Sequence, residues 1–193
     1  MGCIREKLNY LCGRVPKLQP YWAVVEDEPE SRNFFSDYPF LAQAEGGLGD
    51  RLYAVDKTLS EKHDVTLFMG ADSPQIPFEV LDQVFFQIED IKNKNGKAPW
   101  CFIAPTFDGG FWLLAKNNQL EKKAWTSVKY SSPTTCEELI KQMQSRGFSL
   151  SQFSDVQFDV DTYEDLIKVL DQFKEQKPTP CQKEMLEWAM KLD

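Results

Sequence analysis

The chain has 193 residues, 42% of them hydrophobic and 13% aromatic, enough to predict one domain with a proper core and to exclude wholesale disorder. Lys and Arg number 22 against 30 Asp and Glu, a net charge of −8. With no basic cluster, that balance argues against nucleic acid or an anionic membrane as partner, although a divalent cation could still recruit a phosphorylated ligand.

Apolar spacing at Ile4, Leu8 and Leu11 predicts a first helix, broken by Gly13 and Pro16. Tyr21-Trp22-Ala23-Val24-Val25 has the composition of a buried parallel strand, and an acidic turn with Pro29 follows over 26–30. Phe40-Leu41-Ala42-Gln43 predicts a short strand feeding a glycine segment. Leu48, Leu52, Val55 and Leu59 then predict a helix over 49–62. Val65-Thr66-Leu67-Phe68-Met69 is the clearest strand. Pro77 suits the first turn of a helix bearing Val80, Leu81, Val84, Phe85 and Ile88, and residues 92–97 are expected to be a solvated loop.

Trp100-Cys101-Phe102-Ile103-Ala104 is a second buried strand, and 111–115 is apolar again. Residues 135–146 form a predicted helix closed by Gly147, while 148–158 mix strand and turn. Thr162-Tyr163-Glu164-Asp165 has the pattern of a capping box opening another helix. Residues 177–193 are expected to be a linker and an amphipathic helix appended to a domain over 1–176. Alternating strands and helices imply an α/β, three-layer, Rossmann-like fold around a mostly parallel sheet.

The five cysteines are scattered without a C-x-x-C, which indicates reduced thiols rather than a zinc knuckle or disulfide framework. Glu6 occupies the place where a myristoylation signal wants Ser or Thr. No signal peptide or membrane-length apolar run is found, so a soluble, cytoplasmic protein is expected. His63 is the sole histidine and is expected to be a solvated surface residue. Chemistry must therefore rest on carboxylates, backbone amides, Arg and Lys, with or without a metal.

Four segments have that vocabulary. Asp72 follows a buried strand within Gly70-Ala71-Asp72-Ser73-Pro74, where a carboxylate could hold Mg²⁺ or Mn²⁺ or simply cap the next helix. Gly46-Gly47-Leu48-Gly49 before a helix presents bare amides at a positive helix end, and Arg51 could grip a phosphate or form a surface salt bridge. Asp108-Gly109-Gly110 combines a carboxylate with close backbone approach, and also reads as a plain turn. Asp159-Val160-Asp161 puts two carboxylates on one side of an extended segment, for a metal, for base catalysis or for capping. Trp100, Phe111, Trp112 and Trp125 could line a sugar pocket, but core packing is the simpler role.

In order, the segments Gly47-Leu48-Gly49-Asp50-Arg51-Leu52, Gly70-Ala71-Asp72-Ser73-Pro74-Gln75-Ile76-Pro77, Ala104-Pro105 through Asp108-Gly109-Gly110-Phe111-Trp112, and Asp159-Val160-Asp161-Thr162 resemble a bacterial family of glycosyltransferase-A-like proteins, also described as nucleotide-diphospho-sugar transferase-like. The resemblance, spanning about 21–170, implies a fold shared with sugar-nucleotide and molybdenum-cofactor nucleotidyltransferases. It implies Asp72 as the metal-bearing aspartate and Asp161 as the second polar residue near metal and diphosphate. Gln43, Gly46, Gly47, Gly49 and Arg51 would touch the nucleotide, and Asp108, Gly109 and Gly110 would face sugar or acceptor. Asp108 or Asp161 would act as base.

The family usually opens with a strand and a Gly-Lys-Val-Lys-Thr-Arg-like loop. Here Gly13-Arg14-Val15-Pro16-Lys17 echoes that loop but sits too close to the Tyr21 strand, so a central strand and half the nucleotide pocket are expected to be missing. Three functions follow as expectations. The first is metal-dependent glycosyl transfer from a nucleotide sugar to an acceptor that the sequence leaves open. The second is nucleotidyl transfer releasing pyrophosphate, and the third is a binding module that keeps the fold without turnover.

Overall fold

The computed structural model describes residues 2–25 and 28–191. Its elements in chain order are α1 (Gly2–Arg14), β1 (Trp22–Val24), α2 (Pro29–Phe34), β2 (Phe40–Ala42), α3 (Leu48–Ser60), β3 (Val65–Met69), α4 (Phe78–Asn95), β4 (Trp100–Pro105), β5 (Phe111–Asn117), α5 (Lys122–Thr126), α6 (Thr135–Gln144), β6 (Ser149–Gln152), α7 (Tyr163–Glu175) and α8 (Pro180–Ala189). The α/β class and the layering follow the expected plan. The main sheet has the order β3-β5-β4-β6, while β1 and β2 pair separately and in parallel.

Strand β5 gives the main sheet its mixed character. It is antiparallel to both β3 and β4, whereas β4 and β6 run parallel. Three strands thus share a direction and β5 opposes them. The cause is the short connection between β4 and β5: a turn leads straight into a hairpin, and a parallel return would need a crossover of a dozen residues or more.

All six residues of β4 are buried, because helices cover both faces. Trp100, Phe102 and Ala104 face a cluster with Leu81, Val84, Ile88 and Ile91 of α4 and Leu11 of α1. Cys101 and Ile103 face the opposite cluster, with Ala124 and Trp125 of α5 and Leu139 and Met143 of α6. Each large apolar side chain so buried contributes about 1.5–3 kcal/mol. Trp100, Trp112 and Trp125 are all in these clusters and essentially inaccessible, which assigns them to packing.

A charge also lies inside. Asp56 of α3 and Lys116 of β5 form an ion pair with no exposed side-chain surface on either partner. The Asp56 carboxylate accepts from Lys116 Nζ, Ser60 Oγ, Leu120 N and Trp125 Nε1. Its lone pairs are fully used, and α3 is tied to β5 and α5.

Several expectations are corrected. Residues 92–95 are the last turn of α4 rather than a loop, and the helix stops at Gly96, whose positive φ of 56° ends the α conformation. Pro29 opens α2 instead of sitting in a turn; Glu26 and Asp27 of the expected acidic turn lie outside the described residues. Helix α5 had no clear apolar period to announce it. Of the β1 residues only Trp22 is buried and Val25 is 48% exposed, since among the described residues β1 pairs with β2 alone. His63 is not simply solvated: Nε2 lies 3.0 Å from Tyr21 Oη, linking the start of β1 to the start of β3. The predicted capping box at Thr162 and Asp165 is present.

Candidate functional site

Residues after β3 and after β4 are drawn together by the segment that precedes α7. Val160 N donates to Asp72 O at 3.0 Å, Ser73 Oγ to Asp159 Oδ1 at 2.7 Å, and Gln75 Nε2 to Phe158 O. On the other side, Phe107 N donates to Gln157 O at 2.9 Å and Thr106 bridges Gln157. The stretch 157–161 is thereby stitched between two strand-end turns, and its aspartates join theirs. This is the end of an α/β sheet at which ligands bind.

Four carboxylates converge there. Burial is the largest cause raising the Asp159 carboxyl to about 6, opposed by the Ser73 hydrogen bond and reinforced by the charges of Asp72, Asp108 and Asp161. Asp72 keeps exposed surface, yet its carboxyl is crowded, and this desolvation raises it most. Its own backbone hydrogen bond works against the shift, and Asp161 and Asp108 add to it. Among the described residues no Lys or Arg forms an ion pair with any of the four. A cavity of about 350 Å³ opens between Phe107, Asp108, Phe158, Asp159, Asp161, Asp165 and Lys168, and Lys168 is itself paired with Asp165.

Local conformation explains how two of these carboxylates are presented. Asp72 does not cap α4: the N-cap is Pro77, with no side-chain bond. Asp108 is held by Thr106 Oγ1 and by Gly110 N at 2.9 Å, a tight turn of its own. Gly109 has a φ of 89°, and a Cβ there would lie 2.0 Å from Pro133 O, so it packs against the loop before α6. Its carbonyl also accepts from Cys136 N. The demand for glycine at 109 is met by that packing.

The turn bearing Asp72 is backed by two helices. Lys7 Nζ of α1 donates to Ser73 O at 3.2 Å and Pro74 O at 2.9 Å, and Gln182 Nε2 of α8 donates to Pro74 O at 3.0 Å. Burial lowers Lys7 to about 8. Hydrogen bonds from a charged donor of this kind are worth about 1.5–3 kcal/mol each.

The glycine segment is a separate feature. Gly47 is the N-cap of α3, and Gly49 is required because a Cβ would lie 2.6 Å from Trp125 O of α5. Arg51 Nε donates to Gly46 O at 3.2 Å, bracing the loop instead of forming a surface ion pair; Asp50 takes that role with Lys122. Gln43 Nε2 donates to Ala23 O at 2.9 Å, joining β2 to β1. Among the described residues no hydrogen bond or ion pair links Gln43, Gly46, Gly47, Gly49 or Arg51 to the four aspartates. The structure thus brings Asp72, Asp108 and Asp161 together and adds Asp159.

In the sequence Asp159 is one of two carboxylates on one side of an extended segment, while Ser73, Phe107, Lys7 and Lys168 are assigned no role there. Ser73 sits inside the Asp72 motif and could have been flagged there. The others have no local pattern to announce them.

The fold is that of the nucleotide-diphospho-sugar transferase type. The chain is similar over 99% of its length, and 83% of the other chain, to a protein of Desulfovibrio desulfuricans G20 provisionally named a nucleotide-diphospho-sugar transferase, with 19% identity and a TM-score of 0.74. A CMP:2-keto-3-deoxy-manno-octonic acid synthetase solved with CTP matches at 12% identity and a TM-score of 0.55, over 90% of this chain and 87% of that one. The 4-diphosphocytidyl-2C-methyl-D-erythritol synthase of Anaerococcus prevotii DSM 20548 matches at 10% identity and 0.59, over 90% and 86%. These identities speak to the fold alone.

Residues 16–132 match the model of the family described as "Uncharacterized protein conserved in bacteria (DUF2064)", and the chain belongs to that family. The matched region includes Arg51, Asp72 and Asp108 and ends before Asp159 and Asp161. No curated protein sequence matches the chain significantly. Among the described residues, no helix is long and apolar enough to cross a membrane.

Proposed function

We propose that the chain is a glycosyltransferase-A-like enzyme that moves a sugar from a nucleoside-diphosphate donor to an acceptor with the help of Mg²⁺ or Mn²⁺. The observation that carries this reading is the convergence of Asp72, Asp108, Asp159 and Asp161 on one rim without a basic ion-pair partner. Uncompensated carboxylates cost stability, and a cation relieves that cost. Oxygen donors suit a hard divalent ion. Among the described residues no three His, Cys, Asp or Glu side chains form a ready metal cage, so water and phosphate oxygens would complete the coordination.

In this reading Asp72 and Asp161 hold the cation, which when bound would neutralise charge on the departing diphosphate. Asp108, fixed by Thr106 and Gly110, is positioned to take the acceptor proton; Asp161 is the other candidate base. The cavity beside Phe107 and Phe158 would receive the sugar or acceptor, with an apolar ring face for stacking. Gln43, Gly46, Gly47 and Arg51 would meet the nucleotide at the amino end of α3, where amides favour an anion. Gly49, Gly109 and Gly110 support these loops through close packing.

The likeness to two synthetases, one solved with CTP, favours nucleotidyl transfer as a second reading on the same carboxylates. A thermal-shift panel of UDP-, GDP-, CDP- and dTDP-sugars with Mg²⁺ or Mn²⁺ tests both. A ligand at 100 times its dissociation constant should add about 2.7 kcal/mol, and Asp72→Asn should abolish the gain. Release of nucleoside diphosphate supports the glycosyltransferase, and release of pyrophosphate the nucleotidyltransferase. No shift with any nucleotide would leave a binding module without turnover.

A further inference from the structure

Away from the carboxylate rim, helices α1 and α8 meet. Thr179 Oγ1, at the N-cap of α8, donates to Glu6 of α1, and the Cys3 and Cys181 side chains are near enough for each to act on the other's charge. A Cβ on Gly2 would lie 2.3 Å from Cys181 Sγ, so that sulfur is seated directly on the first turn of α1. The two thiols differ in access: Cys3 is buried, whereas Cys181 is partly exposed. Cys181 also lies in the first turn of α8, beside its capping box. Lys7 and Gln182, which grip Pro74 O from the two helices, belong to the same interface.

We propose that Cys3 and Cys181 form a redox-reactive pair, a modification site where a low-molecular-weight disulfide is reduced while α1 and α8 become covalently joined. The Cys181 thiolate attacks one sulfur of the oxidant, whose S–S bond breaks to release one thiolate and leave a mixed disulfide on Cys181. Cys3 then loses its proton to solvent and attacks Cys181 Sγ, expelling the second thiolate. Two protein thiols have given up two electrons and two protons, and one disulfide has become two thiols.

The order follows from the surroundings. Cys181 has exposed surface and Cys3, whose thiol burial pushes up to about 12, has almost none, so oxidation begins at Cys181. Once joined, the helices hold Lys7 and Gln182 against the turn that bears Asp72. The remaining thiols act as internal controls: Cys12 is exposed, and Cys101 and Cys136 are buried in the sheet-facing core.

Full-length protein is treated with oxidised glutathione and digested without reduction for mass spectrometry. The expected product is a peptide pair joining Cys3 to Cys181, two hydrogens lighter than the separate peptides. It should survive in Cys12→Ser, vanish in Cys181→Ser and reverse with dithiothreitol. Oxidation should raise Tm by roughly 5–10 °C, because the crosslink closes a loop over almost the whole chain. A stable glutathione adduct on Cys181 beside a free Cys3, or reaction confined to Cys12, would overturn the proposal. The readout is a covalent bond rather than turnover, so it stands or falls apart from the glycosyltransferase reading.

Discussion

Asp56 and the rim aspartates show two ways for a fold to carry a carboxylate away from bulk water. Asp56 is wholly buried, yet four donors surround it, and Lys116 balances its charge. Asp72, Asp108, Asp159 and Asp161 are only partly withdrawn from water, but they face one another. Their donors are few: Ser73 for Asp159, Thr106 and Gly110 N for Asp108, and its own backbone N–H for Asp72. The deeper group is a finished structural joint, and the shallower cluster is in electrostatic debt. Burial alone therefore does not distinguish the two groups; unpaired charge does.

The strongest way to break that comparison is to mutate the joint. Asp56→Asn leaves Lys116 buried without its counter-charge, so unfolding free energy should fall by about 3–5 kcal/mol in urea titrations. Pairing it with Lys116→Met should recover much of the loss, since an apolar replacement of a buried ion pair is often neutral. If the single change were silent, the structural role of Asp56 would be wrong.

An intermediate effect comes from pH. A divalent ion needs ionised carboxylates, and Asp159 titrates at about 6 with Asp72 also raised. A Mn²⁺-dependent rise in Tm should be clear at pH 7.5, fade as pH falls through about 6, and be gone near pH 4.5. Equal stabilisation at pH 4.5 and 7.5 would exclude this aspartate cluster as the seat of the ion.

The smallest effect sharpens the contrast best. Asp159 has a raised folded value, so its contribution to stability is fully present below the unfolded carboxylate range and is lost as pH rises through about 6. Asp159→Asn keeps an acceptor for Ser73 and removes the repulsion. Without metal it should gain about 0.5–1 kcal/mol at pH 7.5 after allowance for solvent screening, and nothing near pH 3.5. A loss at pH 7.5 would place Asp159 with Asp56, as a structural carboxylate.

How much of this was legible beforehand depended on range. Strand β3, the apolar face of α4 and the Thr162 capping box are written in spacing and local side-chain chemistry, and they formed where expected. The Asp72 and Asp108 turns were recognisable from glycine and proline beside a carboxylate. Their meaning was not, because each pattern also fits a cap or a plain turn. Gly49 and Gly109 look like ligand loops in sequence; in the fold both are spaced by a neighbouring backbone carbonyl.

By itself the sequence determined the α/β alternation, the central buried strands and a set of polar groups with a single histidine, because apolar period and residue type are local properties. The tertiary structure decided that β5 runs backward, that Asp56 and Lys116 are partners, and that Asp159 joins Asp72. It also decided that Cys181 Sγ is seated on the first turn of α1. Such choices depend on which distant surfaces share a packed interior, where close packing and charge pairing act between residues far apart along the chain.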